Sequence, residues 1–238
     1  MDDLISEKEQ IEQLRAWWSE YGGYVIGGLG LGIALLVGWN YWQNSKLEAE
    51  LAGSAMYESL TNHVVEGKLE EAEIVAADLA ATYANTPYAG QAKLAMARLY
   101  MDQNRDQDAI GTLQELLDSN ADEELKGIAR ARLARILLYQ GNAQAVIDLL
   151  EGQESAAFAA IYNDLLGDAY EALGRPEDAR TAYQAVILDP LSQATVDQQL
   201  VQWKTLDLPE SGDAADDAQP AEEPAAADES AAADEGSE

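Results

Sequence analysis

The chain has 238 residues, of which 44 are Asp or Glu and 14 are Lys or Arg, for a formal net charge of −30. A surface so acidic repels phosphate backbones and argues against nucleic acid as a partner. The absence of cysteine removes disulfides and thiolate ligands, and a single histidine, His63, leaves no Cys/His metal cluster and one imidazole as a conventional general base.

In chain order, residues 1–20 place Leu4, Ile11, Leu14, Trp17 and Trp18 at helical intervals among acids, which predicts an amphipathic N-terminal segment. Tyr21 to Trp42 then runs without a charged residue. At about 1.5 Å per residue, these residues span roughly 33 Å, enough to cross a hydrocarbon core of about 30 Å. Trp17, Trp18 and Tyr21 at one end, and Trp39, Tyr41 and Trp42 at the other, are the amphipathic rings that settle at headgroup level. The lead is acidic, the apolar core is long and bulky aromatics follow it, so the segment reads as an uncleaved signal anchor. Lys8 and Arg15 before the span, against Lys46 after it, lean toward a cytoplasmic N-terminus. Within the span, Gly23/Gly27 and Gly28/Gly32 have the GxxxG spacing that lets a second helix approach closely, which makes these four glycines candidates for helix docking.

After Lys46 the composition turns alanine-rich, and breaks recur at Gly67, Asn104, Gly141 and Gly174. Each reads as the turn of a helical hairpin. Ala72, Ala109 and Ala179 stand five residues after their breaks, and Ala145 four residues after Gly141, which predicts one residue fewer in the second helix of that unit. The last unit is the clearest, with Leu166-Gly167, Tyr170, Gly174, Ala179, Tyr183 and Pro190 at tetratricopeptide offsets. Gly167 and Ala179 are expected to let paired helices approach, and Tyr170 and Tyr183 to fill the groove between hairpins. The fold class expected is all-α: one N-terminal transmembrane helix, residues 21–42, followed by a tetratricopeptide-like α-solenoid over residues 45–208.

Stacked repeats need a terminal cap. Ser192 is expected to N-cap a helix that aligns Val196, Leu200, Trp203 and Leu206 in one apolar stripe. Residues 209–238 carry eleven acids, no base, no aromatic and no Val, Ile or Leu, so they cannot bury enough apolar surface to offset the entropy of ordering. They read as a disordered acidic tail.

Lys126, Arg130, Arg132 and Arg135 form a basic cluster on one helix, read either as a binding patch or as local balancing of acids such as Asp122 and Glu123. No phosphate-loop, nucleophile-elbow or dinucleotide motif occurs outside the apolar span, and the scattered carboxylates read as a solvated face. No cofactor and no enzymatic activity are expected.

Gly38-Trp39-Asn40-Tyr41-Trp42, Glu66-Gly67-Lys68, the run from Asp122 through Leu125-Lys126 to Arg132-Leu133-Ala134-Arg135, Asp164 to Gly167 and Ala179-Arg180 occur in an order that resembles the YfgM-type ancillary SecYEG translocon subunits of Gram-negative bacteria. The resemblance covers roughly residues 5–207. It implies an inner-membrane protein with a cytoplasmic N-terminus and a periplasmic repeat domain. It further implies association with the SecYEG translocon and with a membrane-anchored periplasmic chaperone, PpiD, hand-over of exported proteins, and a link to envelope-stress signalling. A regulator that sequesters a response protein through its N-terminal segment, or a scaffold for another envelope complex, is the alternative class of function.

Overall fold

No proline precedes Pro87, so nothing interrupts helix propagation until the chain meets Gly67. In the computed structural model, which describes residues 7–153 and 155–209, the result is a single helix, α1 (Glu7–Val65), of 59 residues. At about 1.5 Å per residue it is roughly 88 Å long. The apolar span is one part of this rod. Ring pairs Trp17–Tyr21 (6.0 Å) and Trp39–Trp42 (5.2 Å) mark the two ends of that part, and the Lys46 ammonium lies 5.1 Å over the Trp42 ring. The predicted N-terminal segment is described from Glu7 onward, so Leu4 lies outside the described residues, as do residues 210–238 of the acidic tail.

The other helices are α2 (Leu69–Thr82), α3 (Pro87–Asp102), α4 (Asp106–Leu117), α5 (Glu123–Tyr139), α6 (Ala143–Leu150), α7 (Ala159–Ala172), α8 (Pro176–Leu188) and α9 (Gln198–Asp207), with a 3₁₀ turn at Ser192–Ala194. No strand occurs among the described residues. Pro87 and Pro176 open their helices at the position where the missing N–H costs nothing.

All four sequence breaks use one device. Gly67, Asn104, Gly141 and Gly174 adopt φ of 70°, 58°, 75° and 68°, the left-handed region that terminates a helix. The following N–H groups of Lys68, Arg105, Asn142 and Arg175 donate to the carbonyls of His63, Tyr100, Leu137 and Tyr170 at 2.8–2.9 Å. These are Schellman turns, which satisfy carbonyls otherwise orphaned at the helix end.

Packing follows the same register. Seven residues before each break stand Leu60, Ala97, Ala134 and Gly167, all buried. Five residues after each break stand Ala72, Ala109, Val146 and Ala179, all fully buried. The third unit therefore keeps full length in its second helix: the equivalents there are Val146 and Leu150, both buried, while Ala145 and Leu149 are only partly covered. No residue is missing there, because valine and not alanine holds the buried position. Fourteen residues before each break lies a further small position, occupied by Gly53, Gly90, Gly127 and Ala160, all buried. A Cβ at Gly90 would stand 2.8 Å from Leu125 Cδ1, and one at Gly53 would stand 3.2 Å from Thr86 Oγ1. Only small residues admit the next hairpin there.

The chain divides into two compact units, residues 1–136 and 137–238. In the first, the part of α1 beyond Trp42 packs on α2 and α3, and α3 on α4. Leu60, Ala72, Leu79, Ala92, Met96 and Leu99 form its core cluster. In the second, α6 packs on α7, α7 on α8 and α8 on α9, around Ile147, Leu150, Leu165, Tyr183, Val186 and Val201.

The terminal helix differs from its expected form. Ser192 begins a short 3₁₀ turn and is fully buried, its hydroxyl donating to the Asp189 carbonyl at 2.7 Å. The N-cap of α9 is Asp197, whose carboxylate accepts from the N–H groups of Gln199 (3.0 Å) and Leu200 (3.2 Å). The face turned inward carries Val201 and Lys204, whereas Leu200, Trp203 and Leu206 are exposed. Val196 precedes the helix, and Val201 with the Lys204 ion pairs, not the anticipated stripe, takes the inner face.

Candidate functional site

Gly23, Gly27, Gly28 and Gly32 all lie on bare surface of α1, where an added Cβ would meet nothing within 4 Å. At about 100° per residue, the pair Gly23/Gly27 and the pair Gly28/Gly32 point to different sides of the helix. Gly30, Ala34 and Gly38 continue the Gly23/Gly27 side. Large apolar neighbours are equally uncovered, and only 6% of the most apolar eighteen-residue window of this helix is buried. A core helix of a water-soluble domain is covered on at least one side; this one offers every side to lipid or to another helix.

In the second unit the structure brings Gly167, Ala179 and Tyr183 together. A Cβ on Gly167 would overlap the Tyr183 ring, standing 2.5 Å from Cδ1 and 2.8 Å from Cζ, and both Ala179 and Tyr183 are fully buried. Tyr170 belongs to a different contact. Arg175 lies 4.5 Å over its ring and pairs with Asp178 at 2.7 Å. The first unit repeats that arrangement: Arg105 lies 4.9 Å over Tyr100 and pairs with Asp108 at 2.6 Å. There Glu73 of α2 also joins, 3.0 Å from both the Tyr100 hydroxyl and Arg105. Burial, followed by the bond to Glu73, pushes the Tyr100 phenol up to about 12.

The cluster built around Lys204 has no counterpart in the motif reading. The Lys204 ammonium on α9 contacts Asp164 (2.8 Å) and Asp168 (2.6 Å) of α7. The Tyr183 hydroxyl lies 2.8 Å from Asp168 Oδ1 and 3.0 Å from Glu171 Oε2, with one proton to share between them. Burial and these carboxylates hold the Tyr183 phenol neutral well above its usual range. Burial presses on the Lys204 charge, yet the bonds to Asp164 and Asp168 outweigh it and leave the ammonium above the ordinary lysine value. The chemistry is that of a latch: α9 is held over the last hairpin by a half-buried ion pair. The Asp164/Asp168 spacing of one helical turn was the available sequence signal, but its partner lies 36 residues beyond Asp168.

The predicted basic cluster separates. Lys126 pairs with Glu123 of its own helix at 3.4 Å, as local charge balancing requires. Arg132 is half-buried and donates from Nη1 to the Leu94 carbonyl of α3 at 2.8 Å. Burial, then the charges of Arg135 and Arg98, pull its pKa below the ordinary arginine range. Arg135 is exposed, and Arg130 is partly covered. His63 sits in the last turn of α1, its Nδ1 buried without a hydrogen-bond partner among the described residues. A cleft of about 480 Å³ lies in the first unit between the start of α3 and the α4–α5 connection, where Lys93 is neutralised by Glu115 at 2.5 Å.

A bare apolar helix that runs without a break into hairpins closed by identical Schellman turns defines a membrane-anchored, tetratricopeptide-like repeat protein of adaptor type. A family model described as a tetratricopeptide repeat-like domain matches residues 15–210. The ancillary SecYEG translocon subunit of Escherichia coli (strain K12) is 30% identical over 194 residues, which is 82% of this chain and 93% of that relative. Its namesakes from Haemophilus influenzae and Neisseria gonorrhoeae are 27% and 25% identical, over 84% of this chain and 96% of each relative. The chain belongs to the family of ancillary SecYEG translocon subunits. No solved structure matches it.

Proposed function

We propose that this chain is a non-enzymatic adaptor of the inner membrane that associates with the SecYEG translocon and assists the hand-over of exported proteins. Its N-terminus faces the cytoplasm and its repeat domain the periplasm, where a membrane-anchored chaperone of the PpiD kind is the neighbouring partner. The observation that carries this reading is the continuity of α1. One rod holds a glycine-bearing face at membrane depth and, 23 residues beyond Trp42, ends as the first helix of the repeat. With no hinge between them, a partner helix docked on the glycines fixes where the repeat domain sits. Small residues favour such docking because the backbones approach closely without loss of side-chain entropy. The relatives are named for the SecYEG translocon, which supports it as the partner.

Photoreactive residues placed at Gly28 and Gly30 in the full-length chain, in native membranes, test the docking. Adducts with translocon subunits are expected, and adducts with lipid alone refute it. Protease added to spheroplasts tests the orientation: cleavage of the repeat domain is expected, and full protection places it in the cytoplasm.

A further inference from the structure

Half of the twelve cations of the repeat region are neutralised by a close carboxylate. Lys68, Lys93, Arg105, Lys126, Arg175 and Lys204 each hold a carboxylate at 3.4 Å or closer. Arg98, Arg132 and Arg135 depart from that pattern together, whereas Arg180 donates to the Pro209 carbonyl at 2.8 Å. The bond from Arg132 to the Leu94 carbonyl pins its guanidinium across the α3–α5 contact, one turn from Arg98 on α3. Arg135 follows one turn on along α5. The single carboxylate paired with this trio among the described residues is Asp102, 3.8 Å from Arg98, with both side chains largely exposed. Arg135 has no ion pair among the described residues. In a chain with 44 acids and 14 bases, three neighbouring guanidiniums with one loose partner are a costly arrangement that an anion would relieve.

We propose that Arg98, Arg132 and Arg135 form a docking site for a carboxylate-rich, extended segment of a partner protein. This deepens the adaptor reading and rests on it, because it states the chemistry of what the repeat domain holds. Guanidinium forks match carboxylates two bonds at a time, and Arg132, half-buried and already oriented by Leu94, loses little freedom on binding. Tyr57 of α1, whose ring pairs with Tyr88 at 5.9 Å, lies near enough to Arg132 to act on its charge. Anionic headgroups do not fit the position. Tyr57 lies fifteen residues past Trp42 on an unbroken helix, roughly 22 Å, against a screening length of about 8 Å. A nucleic-acid backbone needs a longer basic track than three arginines on a chain of charge −30.

The test uses the full-length protein in micelles of a neutral detergent and a short fluorescein-labelled peptide rich in Asp and Glu, with its Asn/Gln counterpart as control. Anisotropy is expected to show salt-sensitive binding of the acidic peptide and none of the control. Arg98→Gln and Arg135→Gln, both exposed, are each expected to weaken it by about tenfold without altering thermal unfolding. Equal binding of both peptides, or unchanged affinity in both variants, overturns the proposal. So does stronger binding to vesicles of anionic lipid that the same variants abolish. Tighter peptide binding after deletion of residues 210–238 would identify the chain's own tail as the occupant and overturn the assignment to a partner. Crosslinking from Gly28 is independent of these readouts, so failure of the translocon association and failure of this site are distinguishable.

Discussion

Gly167→Ala isolates the closest helix contact of the second unit. In an exposed helix, replacing glycine by alanine stabilises by about 1 kcal/mol, because the unfolded chain loses freedom. At Gly167 the new methyl would stand 2.5 Å from Tyr183 Cδ1, far inside van der Waals contact. The ring cannot swing aside, since Tyr183 is fully buried and its hydroxyl is held by Asp168 and Glu171. Overpacking of this kind costs roughly 3 kcal/mol at its upper end, for a net loss of about 2 kcal/mol. For a chain of this size the expected fall in Tm is about 4–8 °C, read by circular dichroism at 222 nm on the full-length protein in detergent. Gly23→Ala, with nothing within 4 Å, is expected to leave Tm unchanged or to raise it. Tyr183→Leu removes the ring and its hydrogen bonds, and combined with Gly167→Ala should cost less than the sum of the two single changes. A Gly167→Ala protein as stable as the parent would refute the packing account.

Leu150→Ala is expected to cost about 2–4 kcal/mol and Leu149→Ala under about 1 kcal/mol, a contrast in denaturant midpoints that checks the register of the third hairpin. Lys204→Ala leaves Asp164 and Asp168 half-buried without their cation. Hydrogen exchange is then expected to accelerate across α9 before it does in α7. The raised pKa values of Tyr100, Tyr183 and Lys204 make the folded state keep protons that the unfolded state releases near pH 10. Their contribution is complete below pH 10 and declines above it, that of Tyr100 being lost as pH rises through about 12. Melting curves should show that decline, and Tyr100→Phe should make it shallower. Inserting two alanines after Asn44 turns the glycine face by about 200° relative to the repeat domain, whereas seven restore the phase to within about 20°. Crosslinking of both regions to one partner is expected to fail with two and return with seven.

Much of the architecture is local and therefore legible in the sequence. A charge-free run of twenty-two residues ringed by tryptophans has few other uses. The four breaks could be read because a left-handed residue favours glycine or asparagine wherever it occurs. The repeat register followed from them except where Val146 stood in for alanine, since burial selects for fit and not for one residue type. Tertiary structure decided what depends on distant partners. The inner face of α9 was set by Asp197 and by Lys204 reaching back to Asp164 and Asp168, none of which a hydrophobic period records. The basic cluster was regrouped for the same reason: neighbours on α5 parted, and Arg98 of α3 joined Arg132 and Arg135 across a helix contact. Continuity along a helix is written in consecutive residues, whereas charge pairing between helices exists only once they pack.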